Sequence, residues 1–174
     1  MLIKPLINQF KMDDWRLRVS MLNILGELMV KDSLDVPSML DLLINACLDR
    51  VEAIRKCSVK IIINLIKVKS EDWTKTKLIP KLNKIVTNTQ YLIRQKILTI
   101  ILETAATVGK SIIVEYKAII SMMLKDKTPN IRMLSMRAVV CNQNLLDKVI
   151  CSQLIKMKDD PDIEIKQAAK AIKI

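Results

Sequence analysis

Three short runs carry residue types that could do chemistry. Asp159-Asp160-x-Asp162 could offer carboxylate oxygens to a hard cation. It lacks the glycine and the distal bidentate glutamate of a calcium loop, and capping of a following helix explains it fully. Gly109-Lys110-Ser111 echoes the tail of a phosphate-binding loop, but the upstream glycine and the preceding strand are missing. The four cysteines, Cys47, Cys57, Cys141 and Cys151, form no C-x-x-C pair and read as reduced, buried thiols. The chain has no histidine, which removes the commonest general base and the commonest zinc ligand together. No Ser-His or Cys-His arrangement can then exist. The expectation is a protein that is not an enzyme, with no catalytic residue, no metal and no cofactor.

Composition points to the elements that such a chain builds. Of 174 residues, 51% are apolar, while only two are glycine and five are proline. Abundant Leu, Lys and Met with little glycine favour helices over a sandwich or barrel. No apolar run reaches the roughly 18 residues that span a bilayer. The first residues, Met-Leu-Ile-Lys-Pro, lack a signal peptide's apolar core. The protein is expected to be soluble and intracellular, in the cytoplasm and also in the nucleus, with no membrane partner. Its net charge is +11. Residues 50–96 hold twelve Lys/Arg against three Asp/Glu, and the rest 17 against 15. This basic middle reads either as solvated helix faces or as a surface for an acidic partner or nucleic acid.

A repeat runs the length of the chain. An apolar residue followed by a basic one recurs at Leu17-Arg18, Ile54-Arg55, Ile93-Arg94, Ile131-Arg132 and Ile165-Lys166. The basic positions lie 37, 39, 38 and 34 residues apart, and Asp49, Asn88, Asp126 and Asp160 stand six residues before the last four. A period near 38 suits stacked helix pairs of the HEAT or armadillo type. The fold class expected is all-α, an α-α superhelix (HEAT-repeat solenoid) of about five helical hairpins. Its single domain covers 1–174, with repeats at 1–34, 35–73, 74–111, 112–146 and 147–174. The apolar spacing predicts first helices over 2–11, 37–48, 77–88, 114–125 and 147–158. Second helices follow at 15–30, 52–68, 91–108, 130–144 and 163–173. Pro80 lies a few residues into a first helix, where it should bend the helix or mark its first turn.

One acid and one base per repeat can stack into a ladder. A carboxylate from one repeat would bond the basic group of the next and hold the turns in register. Its members are Arg18, Asp49, Arg55, Arg94, Asp126, Arg132, Asp160 and Lys166. Phosphate binding by these arginines is the functional alternative. Trp15 reads as a turn residue between Asp14 and Arg16, either an interface anchor or a packing cap on the neighbouring helix. Trp73 follows Glu71-Asp72 between repeats and reads as packing. The first helix, with Leu2, Ile3, Leu6, Ile7 and Phe10, has no preceding repeat to cover it, so this end should self-associate or bind another chain.

Several of these segments resemble the C-terminal HEAT repeats of the scaffold (A) subunit of protein phosphatase type 2A. Asp14-Trp15-Arg16-Leu17-Arg18 resembles that family's Trp-Arg-Val-Arg turn. The segment from Cys47 through Asp49-Arg50-Val51-Glu52-Ala53 to Ile54-Arg55 resembles its Leu-Val-Asp-His-Val-Tyr-Ala-Ile-Arg. Trp73 with Ile79-Pro80-Lys81, Tyr91-Leu92-Ile93-Arg94, Asn130-Ile131-Arg132 and Asp159-Asp160-Pro161-Asp162 continue the match in order. The resemblance implies a shortened, non-catalytic scaffold subunit without the long N-terminal arm that holds the regulatory subunit. It implies that a serine/threonine phosphatase catalytic subunit is gripped by the turns within each repeat. Carried over by position, the partner-binding residues are Asp14, Trp15, Arg16, Val51, Glu52, Tyr91 and Asn130. Glu52 stands where the family has a turn tyrosine. Two other readings stay open. One is a HEAT-like nucleic-acid binder, which needs Lys56, Lys60, Lys67, Lys75, Lys77, Lys81 and Lys84 in one basic stripe. The other is a generic HEAT adaptor.

Overall fold

Capping chemistry sets where the helices begin. The computed structural model describes residues 14–31, 37–87 and 90–172. Helix α1 runs Trp15–Val30, α2 Pro37–Ala46 and α3 Glu52–Val68. Asp14 caps α1 by accepting the Arg16 N–H at 2.8 Å. The next helix, α4, starts as Glu71–Trp73, widens to a π-helical stretch at Thr74–Leu78 and returns to α geometry over Ile79–Val86. Then come α5 (Tyr91–Thr104), α6 (Lys110–Met123), α7 (Pro129–Cys141), α8 (Lys148–Lys156) and α9 (Ile163–Ala171). Short 3-10 turns follow α7 at Gln143–Leu145 and α8 at Met157–Asp159. No strand occurs among the described residues.

Four boundaries differ from the sequence expectation by three residues or more. The first helix of the third repeat begins at Glu71 rather than near 77, because Ser70 Oγ caps it by accepting the Trp73 N–H at 3.1 Å. Trp73 is therefore helical and half-buried, not a linker residue. Pro80 neither starts nor breaks α4. It has no N–H to offer, and the wide turn just before it, with Ile79 N–H donating to the Thr74 carbonyl, accommodates the ring. The first helix of the fourth repeat begins at Lys110, where Gly109 is the N-cap, so Gly109-Lys110-Ser111 opens a helix. Helix α5 stops at Thr104 and α7 at Cys141, each a few residues early. The expected helix 2–11, Asp13 and Asn88 lie outside the described residues.

The chain forms two compact units, Met1–Leu82 and Asn83–Ile174. In the first, α1 packs along α3, and α2 packs on α3. Leu22, Leu25, Met29, Leu43, Ile54, Ile62 and Leu65 form its core. Gly26 lets α1 approach closely: a Cβ there would stand 2.9 Å from Cγ1 and Cγ2 of Ile61. In the second unit, α5 packs along α7, α6 against α7 and α8, and α9 against α7. Its core includes Ile97, Ile101, Ile120, Ile131 and Leu154. Tyr116 is fully buried there, with its hydroxyl 2.9 Å from Thr104 Oγ1. Burial pushes the phenol up to about 12, the Thr104 bond acting against it.

Candidate functional site

The turns that open α3, α7 and α9 are built the same way. An aspartate carboxylate accepts the backbone N–H two residues on: Asp49 from Val51, Asp126 from Thr128 and Asp160 from Asp162, all at 2.8–2.9 Å. Such a bond closes the turn and still leaves the carboxylate able to accept from an arginine. Arg18 reaches Asp49 at 2.5 Å. Arg94 binds Asp126 with two nitrogens, at 2.6 and 3.0 Å, and Arg132 binds Asp160 likewise at 2.9 and 2.7 Å. All six side chains are largely buried. Burial pushes the Asp126 and Asp160 carboxyls up, but the guanidinium and backbone hydrogen bonds outweigh it and hold both below their ordinary value.

The direction of these bonds is the reverse of the one expected. Arg18, Arg94 and Arg132 each reach forward to the carboxylate of the following repeat. The carboxylate sits in the turn after the first helix, whereas the arginine rises from the first turn of the second. Toward its own repeat an arginine meets backbone instead. Arg55 donates to the Asp49 and Arg50 carbonyls at 2.7 and 2.9 Å, and Arg132 to the Asp126 carbonyl at 2.8 Å. Asn88, the position that would follow Arg55 in the sequence pattern, is neutral and lies outside the described residues. Lys166 is half-buried, and its charge helps hold the Asp160 carboxyl low.

Three residues before each ladder base stands an exposed side chain at the first position of a second helix. In the first unit these are Trp15 and Glu52; in the second they are Tyr91, Pro129 and Ile163. Trp15 is thus helical, not part of a turn, because Asp14 is the cap before it. It stays 37% exposed, and the Arg16 guanidinium lies over its ring at 4.6 Å. Tyr91 is 45% and Ile163 71% exposed. Asn130 is exposed beside Pro129, and Val51, the N-cap of α3, is half-buried. Glu52 pairs with Lys56 at 3.0 Å on the surface of α3. Ile163 was not singled out from sequence. Its spacing of three from Lys166, the same as Trp15 from Arg18, was the available signal.

The other chemistry-bearing residues have local roles. Asp162 caps α9, accepting from the Glu164 and Ile165 N–H groups at 3.0 and 3.1 Å. Among the described residues, no group of three His, Cys, Asp or Glu could hold a metal. All four cysteines are free thiols: Cys47 is buried, Cys57 and Cys151 half-buried, Cys141 exposed. In the basic middle, Lys56 and Lys81 already face carboxylates, Glu52 and Asp41. No described helix is long and apolar enough to cross a membrane.

No family model matches the chain, and no curated protein matches it by sequence. Solved structures share its fold. Pds5, solved in complex with Scc1, is similar over 96% of this chain and 27% of its own length, with a TM-score of 0.74 and 14% identity. Cex1p matches 95% of this chain and 33% of its own length, with a TM-score of 0.64 and 16% identity. The chain thus spans about a third or less of the length of these two proteins. A designed armadillo repeat protein, solved with the peptide (KR)4, matches 95% of this chain and 77% of its own, with a TM-score of 0.54 and 18% identity. The fold is the all-α helical repeat of HEAT/armadillo type.

Proposed function

We propose that the chain is a non-catalytic scaffold whose partner docks on the exposed residues that open the second helices in each unit. The observation that carries this is the pairing of two features. Exposed Trp15, Tyr91 and Ile163 recur at one offset from the ladder, and buried ion pairs fix Arg18 and Arg94, three residues on from the first two, and Asp160 in the turn before Ile163. Exposed aromatics with an arginine beside them are the side chains most enriched at interface hot spots. The fold's neighbours include proteins solved with a protein or a peptide bound, which supports a protein partner.

The finer reading is a scaffold subunit that holds a type 2A serine/threonine phosphatase catalytic subunit, working in the cytoplasm or nucleus. It rests on the order of the turn motifs from Asp14 to Asp162 and on the position of Trp15, Arg16 and Tyr91 at the starts of second helices. Calorimetry of the purified chain with a type 2A catalytic subunit from the same cell tests it. Binding with Kd of about 1 μM or tighter is expected, near 8 kcal/mol of affinity. Absence of heat and of co-elution would remove the phosphatase assignment and leave the scaffold reading.

A further inference from the structure

A groove of about 380 Å3 lies between the end of α6 and the length of α8 in the second unit. Lys125 lines it from just past α6, and Lys148 and Lys156 line it from the two ends of α8. No carboxylate lines it. None of the three lysines makes an ion pair among the described residues. An adjoining groove of about 460 Å3 shares Lys125, Lys156 and Gln153. Of its three acids, Asp126 and Asp160 are already taken up by Arg94 and Arg132, which leaves Asp159 against three lysines of the same lining, Lys125, Lys127 and Lys156. Excess positive charge therefore gathers around one concavity.

Gln153 adds a second demand. It lines both grooves and is only 8% exposed. Its Nε2 donates to Ser121 Oγ at 2.8 Å, while its buried Oε1 has no partner. An orphan buried acceptor is costly, so a ligand that brings a donor gains from filling it. The occupant should carry negative charge for the lysines and an N–H for the amide. A phosphodiester backbone brings the charge without the donor. An acidic peptide brings both, carboxylates and backbone N–H groups, and the exposed Val149 gives it an apolar contact.

We propose that the α6–α8 groove binds an acidic peptide segment of a partner protein. None of the residues lining this groove is one of the exposed helix-opening residues proposed above as the docking contacts, so different substitutions test the two readings. Fluorescence anisotropy of the full chain with a fluorescein-labelled oligoglutamate peptide tests it. Lys148→Glu together with Lys156→Glu should weaken binding by about tenfold or more. The same charge change at Lys110→Glu and Lys170→Glu, exposed elsewhere in this unit, should leave it within about twofold. Gln153→Met, with its fold checked by circular dichroism, should weaken binding about fivefold. Backbone N-methylation of the peptide, which removes the donor and keeps the charge, should do the same to the wild type. Equal losses from the two lysine pairs would overturn the proposal, leaving only general charge attraction. So would an N-methylated peptide that binds as well as the parent. Displacement of the peptide by a single-stranded oligonucleotide at lower concentration would overturn it in favour of phosphate recognition.

Discussion

Arg94→Met is expected to lower the unfolding free energy by about 3–5 kcal/mol, the usual cost of removing one partner from a buried ion pair. Arg94 fills both oxygens of Asp126 and also donates to Thr128 Oγ1 at 3.2 Å. Both charged side chains are at most 10% exposed, so solvent cannot replace the lost guanidinium. Adding Asp126→Leu should recover most of the loss, because an apolar pair leaves no buried charge. Recovery should stop short by about 1 kcal/mol, since the Thr128 N–H loses the acceptor it holds at 2.8 Å. Urea denaturation of the three variants measures this. A single-mutant cost under about 1 kcal/mol would mean that the pair behaves as a surface contact.

The same ladder sets an acid limit. The folded Asp126 and Asp160 carboxyls sit below the ordinary value of 3.8. Their stabilisation is therefore complete above that value and is lost as pH falls through the folded ones. Wild-type stability should drop below about pH 4, and the Arg94→Met variant should drop less steeply.

Much of this frame is legible in the residues. Leu17-Arg18 through Ile165-Lys166 announce the period, because each repeat must place one base beneath one turn. The spans of α1 and α3 agree with expectation because Asp14 and Glu52 mark both starts. What stays hidden depends on geometry between repeats. An aspartate six residues from one arginine and about 30 from another offers two pairings, and only the stacking of turns selects the forward one. The start of α4 is obscured because Pro80 resembles a first-turn proline, while the true cap, Ser70, lies ten residues upstream behind a π-helical turn. Helix α5 stops early as the chain turns, with the Thr107 and Val108 N–H groups both donating to the Thr104 carbonyl at 2.9 and 3.1 Å, beside a Thr104–Tyr116 contact made only after α6 folds back.

Trp15→Ala is expected to weaken partner binding by about 2 kcal/mol or more, and Arg16→Ala by a similar amount, the range of interface hot spots. The ring is partly exposed and already carries the Arg16 guanidinium on its face. The pair is thus ordered before a partner arrives, and little side-chain entropy remains to be lost on docking. Folding should survive, because the unit is held by Leu22, Leu25, Ile54 and Ile62 rather than by Trp15. Calorimetry with the phosphatase catalytic subunit, beside a melting curve for each variant, separates the outcomes. Normal binding by both variants would place the contact elsewhere. Unfolding would make Trp15 a packing residue.

The central claim is that partners meet the exposed starts of the second helices. Photo-crosslinking inside the cell tests it most directly, without presupposing the partner. A benzophenone side chain would be placed in turn at Trp15, Tyr91 and Ile163, and as controls at Val114 and Val140, exposed on α6 and near the end of α7. The account predicts one discrete adduct shared by the three helix-opening positions and missing from both controls, identified by mass spectrometry as a phosphatase catalytic subunit. Adducts formed equally from Val114 and Val140, or formed there and not from the helix-opening positions, would contradict it.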